Sequence, residues 1–431
     1  MNEAWIVAGV RTPIGRAPRG TLRGMSPLIL AEMVVREALR RSGLPAEDVE
    51  DVVLGCALPE AEQGLNVARL AALKAGLPTS VGGLTVNRFC SSGLQSIAIA
   101  AHHVQAGTAH VMVAGGVESM SRVPMVGYTP SPDPALTASW PEVYMSMGQT
   151  AEEVATRWHV SREDMDRYSL DSHRRAQAAT EEGRFKDEIL PVPVPKGRLF
   201  PAPPNGIRLG VAAARQAAGG PLGFWERGGT WPEEEDEETI LFEKDEGIRP
   251  DTSMEALARL RPAFRQGGSV TAGNSSQTSD GAAAVVVVSS EYGKALGLKP
   301  RLIFRSFALA GVDPEIMGVG PLKAVPKALA PLGLKVSDMD VVELNEAFAS
   351  QTLAVIRGLE MDPAKVNPNG GAIALGHPLG ATGARQTVTI MHELERRGGH
   401  FGLVTMCIGG GMGAAGLTFF IVRSRPDALL F

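Results

Sequence analysis

Apolar residues in the first part of the chain recur in two alternating patterns. Short continuous apolar runs predict buried strands, and apolar residues at three- and four-residue spacing predict amphipathic helices. The predicted strands are residues 4–9, 51–55, 84–86 and 109–114. The predicted helices are residues 27–41, which Gly43 ends, 66–75 and 92–105, the last with so little charge that we expect it to be buried on most faces.

The last third of the chain repeats this order. Its predicted strands are residues 301–308, 340–344 and 402–406, and its predicted helices are residues 322–332, 346–357 and 380–396. Residues 48–55 and 338–345 look like equivalent steps of the two passes. Alternating strands and helices predict an α/β fold with parallel sheets covered by helices on both faces. We therefore expect two similar halves, with ligands bound at the carboxyl ends of strands.

Between the two halves lies a region of different character, residues 120–278. It has predicted helices at 150–158 and 162–182, followed by a long irregular stretch from 196 to 238 that ends in a run of six acidic residues. A stretch of this length is either a solvated surface insertion or a lid, partner contact or membrane contact. Both interpretations stay open.

Composition excludes several classes of protein. The 431 residues predict about three domains, and 44% hydrophobic with 21% charged residues is typical of a globular protein. Without an apolar run of about 18–20 residues, no membrane span is expected. A net charge of −5 and the lack of a basic stripe argue against nucleic acid. The three cysteines are far apart, which predicts reduced thiols, and they lack the spacing of a zinc site, so no metal site is expected. The N-terminus lacks a secretory signal, so we expect a cytoplasmic protein.

Three turns rich in glycine or serine carry the candidate chemistry: residues 87–93 around Cys90, 376–380 around His377 and 407–413 after Cys407. Cys90 opens a predicted helix, where backbone N–H groups and the helix dipole favour a thiolate and can hold an oxyanion. The alternative is a small buried cysteine that packs a strand–helix junction. Cys56, which follows a strand without such a turn, is assigned to that class.

His377 lies before Pro378, so its backbone is extended and its imidazole is not on a helix face. It could take a proton from a thiol and donate a hydrogen bond to a thioester oxygen, or it could be a structural or exposed loop residue. Cys407 precedes four glycines within six residues, where the backbone must approach another group closely. Asn345 begins a predicted helix, where an Asn cap would be ordinary.

Together these motifs identify a family. The chain resembles the thiolases, acyl-CoA acetyltransferases of the condensing-enzyme superfamily, over nearly its whole length. The matching strings are residues 87–93, 115–121, 147–152, 260–264, 271–276, 345–349, 369–378 and the glycine turn after Cys407. The resemblance implies the thiolase fold, two βαβαβαββ halves packed as a five-layer α-β-α-β-α core with an inserted loop domain. It implies an N-terminal half of residues 1–119 and 279–300, a loop domain at 120–278 and a C-terminal half at 301–431.

The resemblance also implies the division of chemical roles. Cys90 matches the nucleophile that takes up the acyl group, and His377 matches the histidine that activates it. With a water held by Asn345, His377 would bind the thioester oxygen of the second substrate. Cys407 matches the acid/base that moves a proton at the α-carbon. The backbone N–H groups of Cys90 and Gly409 match the oxyanion hole of the acyl-enzyme.

By the same resemblance, coenzyme A and acyl-CoA are substrates, no cofactor is permanently bound, and the protein is a homodimer or homotetramer. The residues that match coenzyme contacts are Met147, Arg249, Phe264, Ala272 and Ser276, with Phe348 lining the acyl pocket. Without the family, Arg249 could equally be a surface charge.

The expected function is that of an acetyl-CoA C-acyltransferase, which cleaves 3-oxoacyl-CoA with CoA and can run in reverse as a Claisen condensation. Ser146 and Leu344 stand where many short-chain members carry His and Ala, which favours a broad 3-oxoacyl-CoA thiolase over an enzyme specific for acetoacetyl-CoA. A non-catalytic acyl-CoA or lipid binder is a further alternative, although such relatives lack the second cysteine or the asparagine. A decarboxylating synthase is disfavoured because it carries histidine in place of Cys407.

Overall fold

The computed structural model describes residues 2–195 and 239–420. The irregular stretch predicted at 196–238 lies outside the described residues. The strands are β1 (Ala4–Arg11), β2 (Gly15–Arg16), β3 (Asp51–Gly55), β4 (Leu84–Val86), β5 (Val111–Ser119), β6 (Val192–Pro195), β7 (Thr239–Phe242), β8 (Ser279–Ser289), β9 (Leu302–Gly311), β10 (Val341–Leu344), β11 (Phe401–Ile408) and β12 (Met412–Phe419).

The helices follow the predicted pattern closely. They are α1 (Pro27–Ser42), α2 (Val67–Lys74), α3 (Ser92–Ala106), α4 (Pro134–Ser139), α5 (Met147–Arg157), α6 (Arg162–Glu181), α7 (Met254–Ala258), α8 (Ser290–Ala295), α9 (Pro321–Leu329), α10 (Ala349–Gly358), α11 (Ala372–Leu375) and α12 (Leu379–Arg397). Each strand and helix predicted in the two halves is present. Gly43 ends α1 in the left-handed conformation, at a φ of 72°, as glycine does at helix C-termini.

Ten strands form one sheet in the described residues, in the order β10-β11-β12-β9-β1-β8-β5-β3-β4, with β2 paired to β8. A short antiparallel pairing of β1 with β9 joins the two halves. The prediction of parallel sheets is wrong for the centre: of the strand pairs in residues 2–195 and 239–420, only β3–β4, β3–β5 and β10–β11 are parallel. Residues 409–411 alone connect β11 to β12, and so short a connection permits only antiparallel pairing.

Helices α3 and α12 pack against each other between the two halves of the sheet. Helices α1 and α2 cover the outer face of the N-terminal half, and α9 and α10 cover the outer face of the C-terminal half. The central position of α3 explains its low charge, because nine of its residues are buried. Since α3 and α12 both begin at the same end of the core, the turns that precede them lie near each other: a Cβ at Gly93 would be 2.8 Å from the carbonyl oxygen of Gly380.

Helix α10 begins later than predicted. It starts at Ala349, so Asn345 is not its cap, and residues 345–348 run in a loop. The carboxylate of Glu346 keeps this loop out of the helix. It accepts hydrogen bonds from the hydroxyls of Tyr168 at 2.8 Å and Ser172 at 2.7 Å, both on α6. These bonds satisfy a buried charge that a helical start would leave without partners.

In the part of the chain that the structure describes, no helix has both the length and the apolar character needed to cross a membrane.

Candidate active site

Cys90 lies in a 3-10 turn, Phe89–Ser91, between β4 and α3. The turn is strained, since Phe89 has a φ of 44°, in a region that side chains other than glycine rarely adopt. Side chains hold it in this shape: Oδ1 of Asn87 accepts from the N–H of Phe89 at 2.9 Å, and Oγ of Ser92 accepts from the N–H of Arg88 at 2.8 Å. The sulfur of Cys90 is thereby fixed at the start of a buried helix.

The thiol of Cys90 is buried, at 7% exposure, and faces backbone donors. Burial raises the pKa of Cys90 to about 11, while hydrogen bonds from the N–H groups of Gly409 and Cys90 itself favour the thiolate. The backbone donors expected at the helix start are present and favour the thiolate, but desolvation outweighs them and the net effect is a raised pKa of Cys90. A nearby base must take the proton before the sulfur can attack.

His377 has the protonation state that such a base needs. Its Nδ1 lies 2.6 Å from Oγ1 of Thr382, whose own hydroxyl donates to the carbonyl of Pro378 at 2.9 Å. Because the Thr382 hydroxyl proton is used in that bond, Nδ1 of His377 carries the imidazole proton and Nε2 keeps its lone pair. Burial, followed by the positive charge of Arg385, lowers the pKa of His377 to about 3, so the ring is neutral at physiological pH.

The backbone of His377 is extended, as predicted, and lies beside β8. Its N–H donates to the carbonyl of Gln277 at 3.1 Å and to Oγ of Ser279 at 3.0 Å. The preceding Gly376 has a φ of 109°, a conformation that glycine adopts readily and other residues do not. His377 is buried at 4% exposure, which removes the alternative of an exposed loop residue.

Asn345 follows β10 and contacts His377 directly. Its backbone N–H donates to the carbonyl of Thr405 at 3.0 Å, and its Nδ2 lies 3.2 Å from Nε2 of His377. The side chain is fully buried, yet its Oδ1 has no partner among the described residues. A buried amide oxygen without a partner is available to a group that enters the site.

Cys407 is fully buried at the end of β11, two residues after Thr405. Its Sγ lies 3.7 Å from Oε1 of Gln351. Burial raises the pKa of Cys407. Two residues further on, a Cβ at Gly409 would lie 3.8 Å from the ring of Phe89, so the Cys407 turn reaches the turn that holds Cys90. The three predicted turns therefore meet at one place.

The turn after Cys407 depends on its glycines. Gly410 and Gly411 have φ values of 79° and 84°, which allow the reversal from β11 to β12 within three residues. This reversal brings the N–H of Gly409 to the sulfur of Cys90. The predicted pair of N–H groups from Cys90 and Gly409 thus lies beside the nucleophile.

Four of the six residues assigned to coenzyme contacts lie together. Phe264 packs edge-on against Phe348, with ring centroids 5.9 Å apart, and the N–H of Ser276 donates to the carbonyl of Ala347 at 2.9 Å. Met147 begins α5 beside the Gly409 turn, where a Cβ at Gly409 would be 3.4 Å from its Sδ. Phe264 is 39% exposed and Phe348 is 8% exposed, so this group leads from the surface towards the sulfurs.

The other two assigned residues stand further out. Ala272 is exposed in the turn before Ser276. Arg249 is exposed in a loop, and its backbone N–H donates to Nδ1 of His173 at 3.2 Å. Among the described residues, neither Arg249 nor Ala272 is joined to Phe264 or Phe348 by a hydrogen bond or ring contact. Their assignment rests on the family motif.

Sequence reasoning missed three side chains that shape the site. Thr382 fixes the tautomer of His377, Gln351 faces Cys407, and Glu118 accepts from the N–H groups of Ala57 and Gly380, both at 2.8 Å. Glu118 thereby ties the Cys56 strand to the start of α12. The only sequence signal was their position inside the family strings or one turn beyond them.

Cys56 has the structural role assigned to it. It is fully buried, its thiol lies 3.7 Å from Oε1 of Glu118, and burial followed by the charge of Glu118 raises its pKa. Among residues 2–195 and 239–420, no three His, Cys, Asp or Glu side chains cluster in a way that could hold a metal ion.

Comparison with known proteins gives a consistent answer. The family model for the thiolase N-terminal domain matches residues 4–200 and 230–291, and that for the thiolase C-terminal domain matches residues 298–419. The chain is 51% identical to a 3-ketoacyl-CoA thiolase of Bacillus subtilis, over 97% of this chain and 99% of the relative.

Solved structures of similar proteins share the fold. An acetyl-CoA acetyltransferase of Bacillus anthracis superposes with a TM-score of 0.82 at 38% identity, covering 98% of this chain and 99% of the other. Human mitochondrial 3-ketoacyl-CoA thiolase superposes with a TM-score of 0.81 at 36% identity, covering 97% and 99% of the two chains. The predicted fold class is confirmed.

Proposed function

The chain belongs to the thiolase family and has 3-ketoacyl-CoA thiolase activity, and we propose that Cys90, His377, Asn345 and Cys407 carry out this chemistry. It is an acyltransferase that uses no bound cofactor, with CoA thioesters as its substrates. The observation that carries the assignment of residues is the meeting of the three turns. A Cβ at Gly93 would lie 2.8 Å from the carbonyl oxygen of Gly380, and a Cβ at Gly409 would lie 3.8 Å from the ring of Phe89.

The first step is attack by sulfur on the 3-oxo carbon. Nε2 of His377 takes the proton of the Cys90 thiol, and the thiolate forms a bond to the carbonyl carbon of 3-oxoacyl-CoA. The N–H groups of Cys90 and Gly409 are oriented towards this position and stabilise the negative oxygen that develops. Since they are backbone donors in a buried turn, they need little reorganisation during the reaction.

The second step breaks the carbon–carbon bond. The electron pair of the bond moves to the α-carbon of the leaving acetyl-CoA, and its thioester oxygen takes on enolate charge. The imidazolium of His377, together with a water held by Oδ1 of Asn345, would donate hydrogen bonds to that oxygen. Cys407 gives its proton to the α-carbon, and acetyl-CoA leaves the acyl group on Cys90.

In the second half-reaction the sulfur of free CoA attacks the acyl-Cys90 thioester. Cys90 leaves as the shortened acyl-CoA forms, and the proton of the CoA thiol restores the protonation of the site. A thioester on cysteine resists water yet reacts with sulfur and carbon nucleophiles, which suits both cleavage and its reversal as a Claisen condensation. Incubation with acetyl-CoA followed by peptide mass spectrometry tests this proposal, because an acetyl group must appear on Cys90; its appearance elsewhere would refute the assignment.

We assign the approach of the coenzyme to the surface formed by Met147, Phe264, Ser276 and Phe348. Its support is the contact of the two aromatic rings and the position of Met147 against the Gly409 turn. Arg249 and Ala272 are assigned to the outer end of the coenzyme by motif. If this is correct, Arg249→Ala raises the KM for CoA while leaving kcat close to that of the wild type.

The range of acyl chain lengths that the enzyme accepts is a separate question. Ser146 caps α5 through its side chain, and Leu344 packs in the outer core against α9 and α10, away from the sulfurs. Leu344 therefore gives no direct information about the acyl pocket, and the preference for broad 3-oxoacyl-CoA substrates rests on the similarity to the Bacillus subtilis relative. Comparing kcat/KM for acetoacetyl-CoA and a medium-chain 3-oxoacyl-CoA separates a broad thiolase from an acetoacetyl-CoA-specific acetyltransferase.

A homodimer or homotetramer is supported by an apolar edge of the sheet. Strand β4 ends the sheet order, and beside it Leu65 and Leu84 are 81% and 41% exposed. Exposed apolar edges of this kind are normally covered by another chain. Light scattering of the wild type and of Leu65→Glu tests this; a monomeric wild type would contradict it.

The division into two halves and a loop domain at 120–278 is supported by β8, which returns after that region to pair with both β1 and β5. A cytoplasmic location is supported by the three cysteines, which are all free thiols, as reducing compartments maintain them.

A further inference from the structure

The thiol of Cys407 faces the side-chain amide of Gln351, a residue to which the steps above give no task. Its Sγ lies 3.7 Å from Oε1 of Gln351, within the range of an S–H···O hydrogen bond. Both side chains are fully buried, at 0% exposure. Where no water competes, even a weak donor is held firmly by a single acceptor.

The backbone fixes which end of the amide faces the sulfur. The N–H of Ala347 donates to Oε1 of Gln351 at 3.1 Å. Turning the amide over would place Nε2 against that N–H, so that two donors would face each other. The group beside the sulfur of Cys407 is therefore an oxygen, an acceptor with no proton to offer.

The position of Gln351 in its helix holds the amide in place. Gln351 is the third residue of α10, whose N-cap is Phe348, and its side chain folds back past the helix start to the N–H of Ala347. Its stem packs against Gly318, where a Cβ would lie 2.6 Å from the Cβ of Gln351. The packed stem and the bond from Ala347 together hold the oxygen beside the sulfur.

We propose that Gln351 is a positioning residue for Cys407, whose amide oxygen accepts the thiol proton and holds the cysteine in the protonated form that carbon–carbon cleavage needs. This inference rests on the acid/base role assigned to Cys407 above. An acceptor beside sulfur disfavours the thiolate, since it repels the negative charge. Burial of the same thiol acts in the same direction.

The proton balance of cleavage agrees with this role. As the bond between the α-carbon and the 3-oxo carbon breaks, the S–H bond of Cys407 breaks, its proton goes to the α-carbon and its electron pair stays on sulfur. The thiolate that remains faces the Gln351 oxygen, which is unfavourable. It is therefore driven to take back a proton, which the thiol of the incoming CoA releases in the second half-reaction.

A comparison of two substitutions on the full-length protein tests the proposal. Gln351→Leu removes the acceptor, and Gln351→Glu keeps an oxygen that accepts from both Ala347 and Cys407. Two quantities are measured for each variant: acetylation of Cys90 by acetyl-CoA, which needs no proton transfer to carbon, and cleavage of acetoacetyl-CoA by CoA. The matched control is Gln386→Leu, a glutamine at 1% exposure in α12 whose Oε1 has no partner among the described residues.

We expect Gln351→Leu to slow cleavage about 10- to 100-fold while Cys90 acetylation stays within about twofold of the wild type. The basic side of its pH–kcat profile for cleavage should move to lower pH, because Cys407 loses the acceptor that kept it protonated. Gln351→Glu should restore cleavage to within about fivefold, and Gln386→Leu should change the ratio of the two rates by less than twofold. Gln351→Met, which keeps the side-chain length, serves the same purpose if the leucine variant does not fold.

Equal losses of acetylation and cleavage in Gln351→Leu, or an unchanged ratio and pH profile, would overturn the proposal and leave Gln351 a helix-capping residue. Cys407→Ala, measured in parallel, separates this failure from that of the assigned mechanism. Normal cleavage by Cys407→Ala would refute the role of Cys407 and this inference with it. If Cys407→Ala loses cleavage and Gln351→Leu does not, only the proposed role of Gln351 is refuted.

Discussion

The two sulfurs of the site differ in what surrounds them. Cys90, in a strained turn before a helix, is met by two backbone N–H donors from Gly409 and from itself. Cys407, at the end of a strand, is met by the amide oxygen of Gln351. Burial raises the pKa of both thiols, to about 11 for Cys90 and further for Cys407. The donors beside Cys90 thus favour a thiolate, and the acceptor beside Cys407 favours a thiol.

This difference suits two separate tasks. A nucleophile must lose its proton and carry negative charge to carbon, so donors beside its sulfur lower the barrier. An acid must keep its proton until carbon takes it, so an acceptor beside its sulfur is appropriate. The imidazole of His377, neutral because its pKa is lowered to about 3, serves both tasks. It takes the proton of Cys90 in the first step and then donates a hydrogen bond to the thioester oxygen during cleavage.

The strongest test of this contrast is Cys90→Ser. An alcohol is far less ionised than a thiol, and the imidazole of His377 is too weak a base to compensate. We expect turnover to fall by about 10⁴-fold or more and acetylation at position 90 to disappear from peptide mass spectra. Cys56→Ser, in the third buried cysteine, is the control and should keep acetylation of Cys90. Normal turnover in Cys90→Ser would refute its role as nucleophile.

Removal of the other sulfur should have a smaller and more selective effect. Cys407→Ala leaves the donors of Gly409 and Cys90 in place, so acetylation of Cys90 should continue near the wild-type rate. Cleavage and condensation should fall by about 10²- to 10⁴-fold, because no acid/base remains at the α-carbon. Acetyl incorporation and acetoacetyl-CoA cleavage are measured on the same preparation. A variant that loses acetylation as well would contradict the division of roles.

The sequence predicted much of this site for physical reasons that act locally. The strand before Cys90, the extended backbone before Pro378 and the glycine turn after Cys407 each follow from neighbouring residues. The balance of burial against backbone donors at Cys90 could not be predicted locally, since it depends on how deeply α3 lies between the halves of the sheet. The local pattern predicted the donors that favour a thiolate, and the packing of the whole molecule adds the desolvation that outweighs them.

The same limit applies to the fold. Helix and strand bounds were predictable because periodicity is local, whereas the antiparallel centre of the sheet includes pairs between strands remote in the chain, such as β1 with β8 and with β9. The late start of α10 has a similar origin, since Glu346 finds its partners on α6. The contact of Gln351 with Cys407, 56 residues away in the chain, is likewise decided only after these elements meet.

Thr382→Val tests whether the tautomer of His377 controls the reactions at both sulfurs. Valine removes the acceptor 2.6 Å from Nδ1, so the imidazole proton is free to move to Nε2, where it blocks uptake of the Cys90 proton. We expect acetylation of Cys90 to slow about 10- to 100-fold and cleavage to slow with it. Thr387→Val in the same helix, whose hydroxyl donates to the carbonyl of Gly383 at 2.8 Å, is the matched control. Equal rates in both variants would show that Thr382 has only a structural role.

The smallest expected effect is a difference in alkylation between the two thiols of the wild-type protein. Below its pKa of about 11, the thiolate fraction of Cys90 rises tenfold with each pH unit, so its reaction with chloroacetamide should keep increasing from pH 7 to pH 10. Cys407, whose pKa is raised further, should react at least about tenfold more slowly at each pH, and Cys56 serves as the unreactive internal reference. Peptide mapping measures all three rates in one sample. If the alkylation of Cys90 levels off near pH 7, Cys90 is a thiolate paired with protonated His377 at rest. The difference between the two sulfurs would then come from their hydrogen-bond partners and not from their burial.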